Sequence, residues 1–251
     1  MLLIQGLGYD SRAWAWIRPE LERAFRVIAF DNRGVGLSDQ PPGPYSVAGM
    51  TDDAAGVLGA LGVPRATVFG VSMGGYIAQE LALRHPERVE RLVLGCTSFN
   101  GDPQRMDMPE ETVRLLTDRS GTPDELIERG VRAAMAPAYV AAHPELVETF
   151  KRARLERPTP PASFAAQFQA VVGFDAESRV RGIRVPVLVL HGSDDRVVPV
   201  ERGRELAAAI PGARLEVLAG SGHLFFIERS MEAAALIAGF CGRTVPGASM
   251  W

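Results

Sequence analysis

Six short apolar runs, spaced by helix-length stretches, limit what this chain can become. They are Leu2-Leu3-Ile4, Val27-Ile28-Ala29-Phe30, Thr67-Val68-Phe69, Leu92-Val93-Leu94, Val187-Leu188-Val189-Leu190 and Leu215-Glu216-Val217-Leu218. Most are continuous rather than alternating in polarity, as expected of parallel strands covered on both faces. Between them the spacing predicts helices over Trp14–Ala24, Thr51–Leu61, Met73–Arg84, Val200–Ile210 and Ser230–Phe240. Repeated alternation of strand and helix implies an α/β fold with a mostly parallel, doubly wound sheet.

The middle of the chain carries no comparable run. It reads as helices over Pro109–Arg119, Pro123–Met135, Pro144–Arg157 and Ala162–Val172. Thr122-Pro123-Asp124-Glu125 is a capping box with proline at the first helical position, so one start is well specified. The expected organisation is a core of residues 1–100 and 176–251 with a helical cap, or lid, inserted at 101–175. Such a lid would cover the C-terminal edge of the strands, where open α/β sheets bind ligands. Arg243–Trp251 reads as a loose tail.

Composition narrows the function classes. The 251 residues are 47% hydrophobic and 23% charged with net charge −3, so the chain is globular and has no electrostatic attraction for nucleic acid. No apolar stretch approaches the roughly 20 residues of a membrane helix, and Met1–Leu7 has no basic flank or cleavage site. Cys96 and Cys241 lie far apart, without a CxxC or Cys/His cluster; they read as buried thiols of a reducing cytoplasm, with no metal and no cofactor expected. Lys151 is the only lysine, which rules out a GK[ST] phosphate loop and leaves Schiff-base chemistry one residue on a charged, exposed helix.

The strongest local signal is Gly70-Val71-Ser72-Met73-Gly74-Gly75, set between a strand and a helix. G-x-S-x-G in that setting is a nucleophile elbow, a turn so tight that flanking side chains would collide. It lifts the Ser72 hydroxyl above the sheet and puts the Met73 amide at a helix N-terminus. Serine needs a base, and the base an orienting acid. Of the four histidines, His85 reads as a helix-end residue, His143 as a helix boundary and His191 as a loop support. His223, in Gly220-Ser221-Gly222-His223 beyond the last run, lies on the same sheet edge as Ser72 and is the expected base. Asp194 and Asp195, beyond the preceding run, could each be the acid; Asp195 fits the G-x-x-D-x-x-x-P register, with Asp194 a turn residue.

The order Ser72, Asp195, His223 resembles that of the α/β-hydrolase superfamily. So do Gln5-Gly6-Leu7-Gly8, Asp31-Asn32-Arg33-Gly34-Val35-Gly36-Leu37-Ser38-Asp39 and His85-Pro86-Glu87-Arg88-Val89. The chain looks most like the capped lactonase and carboxylesterase group, including enzymes similar to 3-oxoadipate enol-lactonase. That resemblance implies oxyanion donors at the Leu7 and Met73 backbone amides, and hydrolysis of a small ester or lactone through an acyl-enzyme on Ser72. The same triad also serves carbon–carbon bond hydrolysis and perhydrolysis, and a ligand sensor could be built on the same scaffold. Leu224, Phe225, Phe164 and Phe168 are expected at the substrate pocket, while Asp31 and Arg33 read as a structural turn and ion pair. Two departures stand out: Gln5 replaces the usual histidine, and two strands that normally precede the first run are missing. The second would leave Val27–Phe30 as an uncovered apolar sheet edge through which copies of the chain could associate.

Overall fold

Each apolar run forms a strand. In the computed structural model, which describes residues 1–118 and 120–244, β1 (Leu2–Ile4), β2 (Ile28–Ala29), β3 (Ala66–Val71), β4 (Val89–Gly95), β5 (Val187–Gly192) and β6 (Arg214–Leu218) make one sheet. Every neighbouring pair is parallel, in the order β2-β1-β3-β4-β5-β6. The register aligns Ala29, Leu3, Phe69, Val93 and Leu188 in one row across five strands. Strand side chains alternate between faces, so Leu3, Phe69, Val93, Leu188 and Leu190 enter one core while Leu2, Ile4, Val68, Leu92, Leu94 and Val189 enter the other.

The helices are α1 (Arg18–Glu22), α2 (Val47–Ala60), α3 (Met73–Arg84), α4 (Glu110–Thr117), α5 (Pro123–Ala134), α6 (Pro137–Ala142), α7 (Pro144–Glu156), α8 (Pro161–Val172), α9 (Val200–Ala209), α10 (Phe225–Glu228) and α11 (Ser230–Phe240). α1 and α11 bury Leu21, Ala234 and Ile237 in the first core; α2, α3 and α9 bury Met50, Ile77 and Leu206 in the second. The expected helix over Trp14–Ala24 is broken: a 3-10 turn over Ser11–Ala15 precedes α1. Pro19 has no amide to continue the preceding turn and is tolerated where a helix restarts. α2 begins earlier than expected because the Ser46 hydroxyl accepts the Gly49 amide as an N-cap. The Thr122/Glu125 capping box opens α5 as read from sequence.

Between β4 and β5 the described residues hold helices, apart from one isolated antiparallel bridge, Asn100–Asp175. The amides of Gly101 and Ala176 donate to the carbonyls of Phe174 and Phe99 at 2.9 and 2.8 Å, so the segment leaves and rejoins the sheet at one point. Lys151 is not the exposed lysine its charged surroundings suggested. Its side chain is 11% exposed, and its ammonium lies 2.8 Å from Glu128 and 3.6 Å from both Asp124 and Glu148, joining α7 to α5. Of the tail, Val245–Trp251 lies outside the described residues, whereas Arg243 stacks its guanidinium on Phe25, 4.8 Å from the ring centre.

Candidate active site

The strand order reverses at β1: the chain passes from β1 outward to β2, then returns to the other side of β1 for β3. Such a reversal opens a crevice at the C-terminal strand ends, the usual ligand position in open α/β sheets. The loop after β1 carries Leu7 and the turn after β3 carries Ser72.

Ser72 has φ 55° and ψ −122°, a left-handed conformation that costs a non-glycine residue on the order of 1–3 kcal/mol. Four hydrogen bonds hold it: the Ser72 amide donates to Gly95 O at 2.9 Å, and Ser72 O accepts from the Gly75 amide at 2.8 Å, the Tyr76 amide at 3.3 Å and the Thr97 hydroxyl at 2.9 Å. Its glycines answer to sterics. A Cβ at Gly70 would stand 2.1 Å from Gly74 O, and one at Gly74 would stand 2.1 Å from Ile4 O.

The Leu7 amide sits between two amides already engaged. Gly6 donates to Gln5 Oε1 at 3.1 Å and Gly8 to Gln167 Oε1 at 2.9 Å, so among the described residues Leu7 is the amide of this turn without a protein acceptor. Met73 opens α3, where the first amides have no intrahelical acceptor. Gln5, in place of histidine, keeps the turn supported through its own side-chain oxygen.

His223 Nδ1 lies 2.8 Å from Asp195 Oδ2, with both residues buried. The other carboxylate oxygen, Oδ1, accepts the Val197 and Val198 amides, each at 2.9 Å. Burial pushes the Asp195 carboxyl up, but the His223 charge and the hydrogen bonds from His191 and His223 outweigh it and hold Asp195 well below the usual carboxylate range. The aspartate therefore stays ionised and fixes the His223 ring with Nδ1 engaged and Nε2 free. Asp194 is exposed and bonds the Ser193 hydroxyl, a turn role. His191 supports the aspartate loop: fully buried, it holds Val198 O at 2.7 Å through Nε2.

The Ser72 turn and the His223 loop both bond to the end of β4. Gly95 accepts the Ser72 amide, and the next residue, Cys96, reaches Gly222 O through its thiol at 3.8 Å. The Ser72 hydroxyl and the His223 ring are not hydrogen-bonded to each other among the described residues; such contacts often tighten only when substrate binds. Cys96, His191 and Asp195 place ligating atoms within 4.8 Å of one another, but apart from His191 Nδ1 these atoms are already engaged. Asp195 accepts from both neighbouring amides and His223, His191 Nε2 holds Val198 O, and burial pushes the Cys96 thiol well up. The donor set does not suit a cation.

The expected pocket residues divide. Phe164 packs directly against Gly8, with a ring atom 2.9 Å from where a Cβ would stand. Phe168 is 43% exposed and faces solvent. The buried face of α8 is Ser163, Ala166, Gln167 and Ala170, since small residues allow close approach to the sheet and Gln167 finds polar partners there. Leu224 and Phe225 are core rather than pocket, with Phe225 wedged against Gly95 and 6.4 Å from the Phe69 ring. Arg33 pairs with Asp53 through two 2.6 Å contacts, not with Asp31. Asp31 instead accepts the Ser11 and Leu37 amides, which hold its carboxyl low despite the upward push of burial.

Two supports escaped the sequence reading. Gln167, fully buried, also donates to Arg33 O at 2.8 Å, and Thr159 Oγ1 donates to Gly8 O at 2.9 Å. Polar Gln167 within a mostly apolar helix was the available signal.

Comparison with known proteins agrees with this geometry. The sequence pattern of the alpha/beta hydrolase fold family matches residues 1–230. The 2-hydroxymuconate semialdehyde hydrolase of Pseudomonas sp. (strain CF600) is 34% identical over 96% of this chain and 86% of its own length. The crystal structure of the enol-lactonase from Burkholderia xenovorans LB400 superposes with a TM-score of 0.84 at 30% identity, covering 96% of this chain and 90% of that one. A thermophilic esterase from Thermogutta terrifontis gives 0.82 at 29% identity, covering 96% and 88%. A parallel sheet with its elbow at the reversal of strand order, matched over nearly its whole length, makes this chain a member of the α/β-hydrolase family.

Proposed function

We propose that the protein is a serine hydrolase of small to medium carboxylic esters or lactones, needing no cofactor. The observation that carries this reading is the 2.8 Å bond between Asp195 and His223, which leaves the imidazole Nε2 free to serve the elbow serine. His223 takes the Ser72 proton as the hydroxyl attacks the carbonyl. The Leu7 and Met73 amides hold the oxyanion, and losing one such donor typically costs about 2.7–4 kcal/mol. His223 then protonates the leaving oxygen and activates the water that releases the acyl group. In this reading helices α4–α8 are the lid, with Phe164 and Gln167 facing the Leu7 turn. The unpaired state of both cysteines fits a reducing cytoplasm.

The test is labelling by a fluorophosphonate together with a screen of p-nitrophenyl esters by chain length and several lactones. Ser72→Ala should lose both labelling and turnover; unchanged hydrolysis in that variant would overturn the assignment. Carbon–carbon bond hydrolysis with the same triad is the second reading, favoured by the 34% identity to 2-hydroxymuconate semialdehyde hydrolase. A dienoate ketone turned over faster than every ester in the screen would select it.

A further inference from the structure

Glu228 ends α10, five residues after His223, and its side chain folds back to the histidine's own loop. Both carboxylate oxygens lie 3.1 Å from the Gly222 amide nitrogen, and Oε2 lies 3.2 Å from that of Ala136. One carboxylate thereby joins the residue before His223 to the α5–α6 junction. The two segments also touch directly. The Leu224 amide donates to Ala134 O at 3.1 Å, and a Cβ at position 222 would stand 2.8 Å from both Ala134 O and Ala136 N.

No cation balances this carboxylate among the described residues. The neighbouring Arg229 gives its guanidinium to Ala219 O at 3.0 Å. The ionisable groups acting on Glu228, or acted on by it, are Asp194 and Asp195 from the β5–α9 loop, Cys96 after β4 and Tyr139 from α6; His223 lies on the loop that it anchors.

We propose that Glu228 is a positioning residue for His223: ionised, it accepts both amide hydrogens and locks the histidine loop to the helical segment beside it, and protonated, it holds them less tightly. The protonated acid turns one oxygen into a donor hydroxyl and leaves the Gly222 and Ala136 amides to share the other, which is a weaker acceptor once neutral. This inference rests on the reading of His223 as the base. Burial pushes the Glu228 carboxyl up to about 7, against the hydrogen bonds from Gly222 and Ala136 and with Asp195 and Asp194 adding to the rise. The folded chain thus holds this proton more tightly than the unfolded chain. The stability it contributes is present in acid and lost as pH rises through about 7. The ionised form that organises the site is the one that the fold favours less.

The test compares wild type with Glu228→Gln, using Glu232→Gln on the exposed side of α11 as control. In wild type, kcat/KM for a p-nitrophenyl ester should fall on the acid side more steeply than in Glu228→Gln, since protonation of Glu228 loosens the hold on the histidine loop. In Glu228→Gln that added steepness should be lost. At about pH 8 its kcat should drop roughly 10- to 100-fold with a smaller change in KM, as misplacing an acting group by about 1 Å can cost 100-fold. A wild-type kcat and an unchanged profile in the variant would overturn the proposal. NMR of the wild type supplies a reading without turnover, and so covers a variant that fails to fold. The Gly222 and Ala136 amide shifts should titrate together with a midpoint near 7; if they titrate apart, or not at all, the lock is wrong. A failure of the serine reading would show separately, as undiminished turnover in Ser72→Ala, and would leave the NMR expectation standing.

Discussion

At the residue scale the site is a set of commitments made by hydrogen bonds. Asp195 is the clearest case, because each of its oxygens has an assigned partner and its carboxyl is held low. A carboxyl whose folded value lies below its unfolded one stabilises the chain above the unfolded value, and that contribution is lost as pH falls through the folded one. Asp195→Asn should therefore flatten the acid side of the melting-temperature profile. It should also lower kcat by roughly 10⁴-fold, because an amide no longer fixes the productive imidazole tautomer. Calorimetry and steady-state kinetics on one preparation check both; a variant with wild-type kcat would remove Asp195 from the proposed triad. The tight turn at Ser72 was legible in sequence because its sterics are local, and loop register favoured Asp195 over Asp194. What each carboxylate touches is not local, so Asp195 was separated from Asp194 by a hydrogen bond made 28 residues away.

At the element scale, α8 matters more than its sequence suggests. Its apolar pattern placed Phe164 and Phe168 on one face, yet the helix turns Ser163, Ala166, Gln167 and Ala170 inward and leaves Phe168 and Val172 in solvent. The side-chain amide of Gln167 reaches two main-chain groups on different loops, and the helix turns that residue inward. Gln167→Leu would strand the Gly8 amide and the Arg33 carbonyl, at about 1–3 kcal/mol for each buried group left unpaired. It should lower the melting temperature and weaken binding of a boronic acid, which mimics the oxyanion, more than it raises KM. Equal effects on both would make Gln167 structural only. The short helices α6 and α10 went unread for a related reason: pieces of six and four residues carry too little periodicity to register.

At the scale of the whole molecule, β2 stands at one edge of the sheet. Val27 and Ala29 pack against one core and Ile28 and Phe30 against the other, so its side chains are half-buried rather than bare. The backbone edge has no strand beyond it among the described residues, which predicts self-association of this chain by edge pairing. Light scattering at micromolar concentration should report species heavier than one chain; a clean monomer would count against it. The sequence alone determined the parallel α/β sheet, the elbow and the chain order of Ser72, Asp195 and His223 that the proposed mechanism uses, because strand burial, turn sterics and helix capping are fixed by neighbours along the chain. Only the tertiary structure decided that the elbow falls where strand order reverses, that Gln167 clamps the Leu7 turn, and that Glu228 sits between Gly222 and Ala136. Those contacts join residues far apart in the chain, and their partners are set by how the helices pack, which no local pattern encodes.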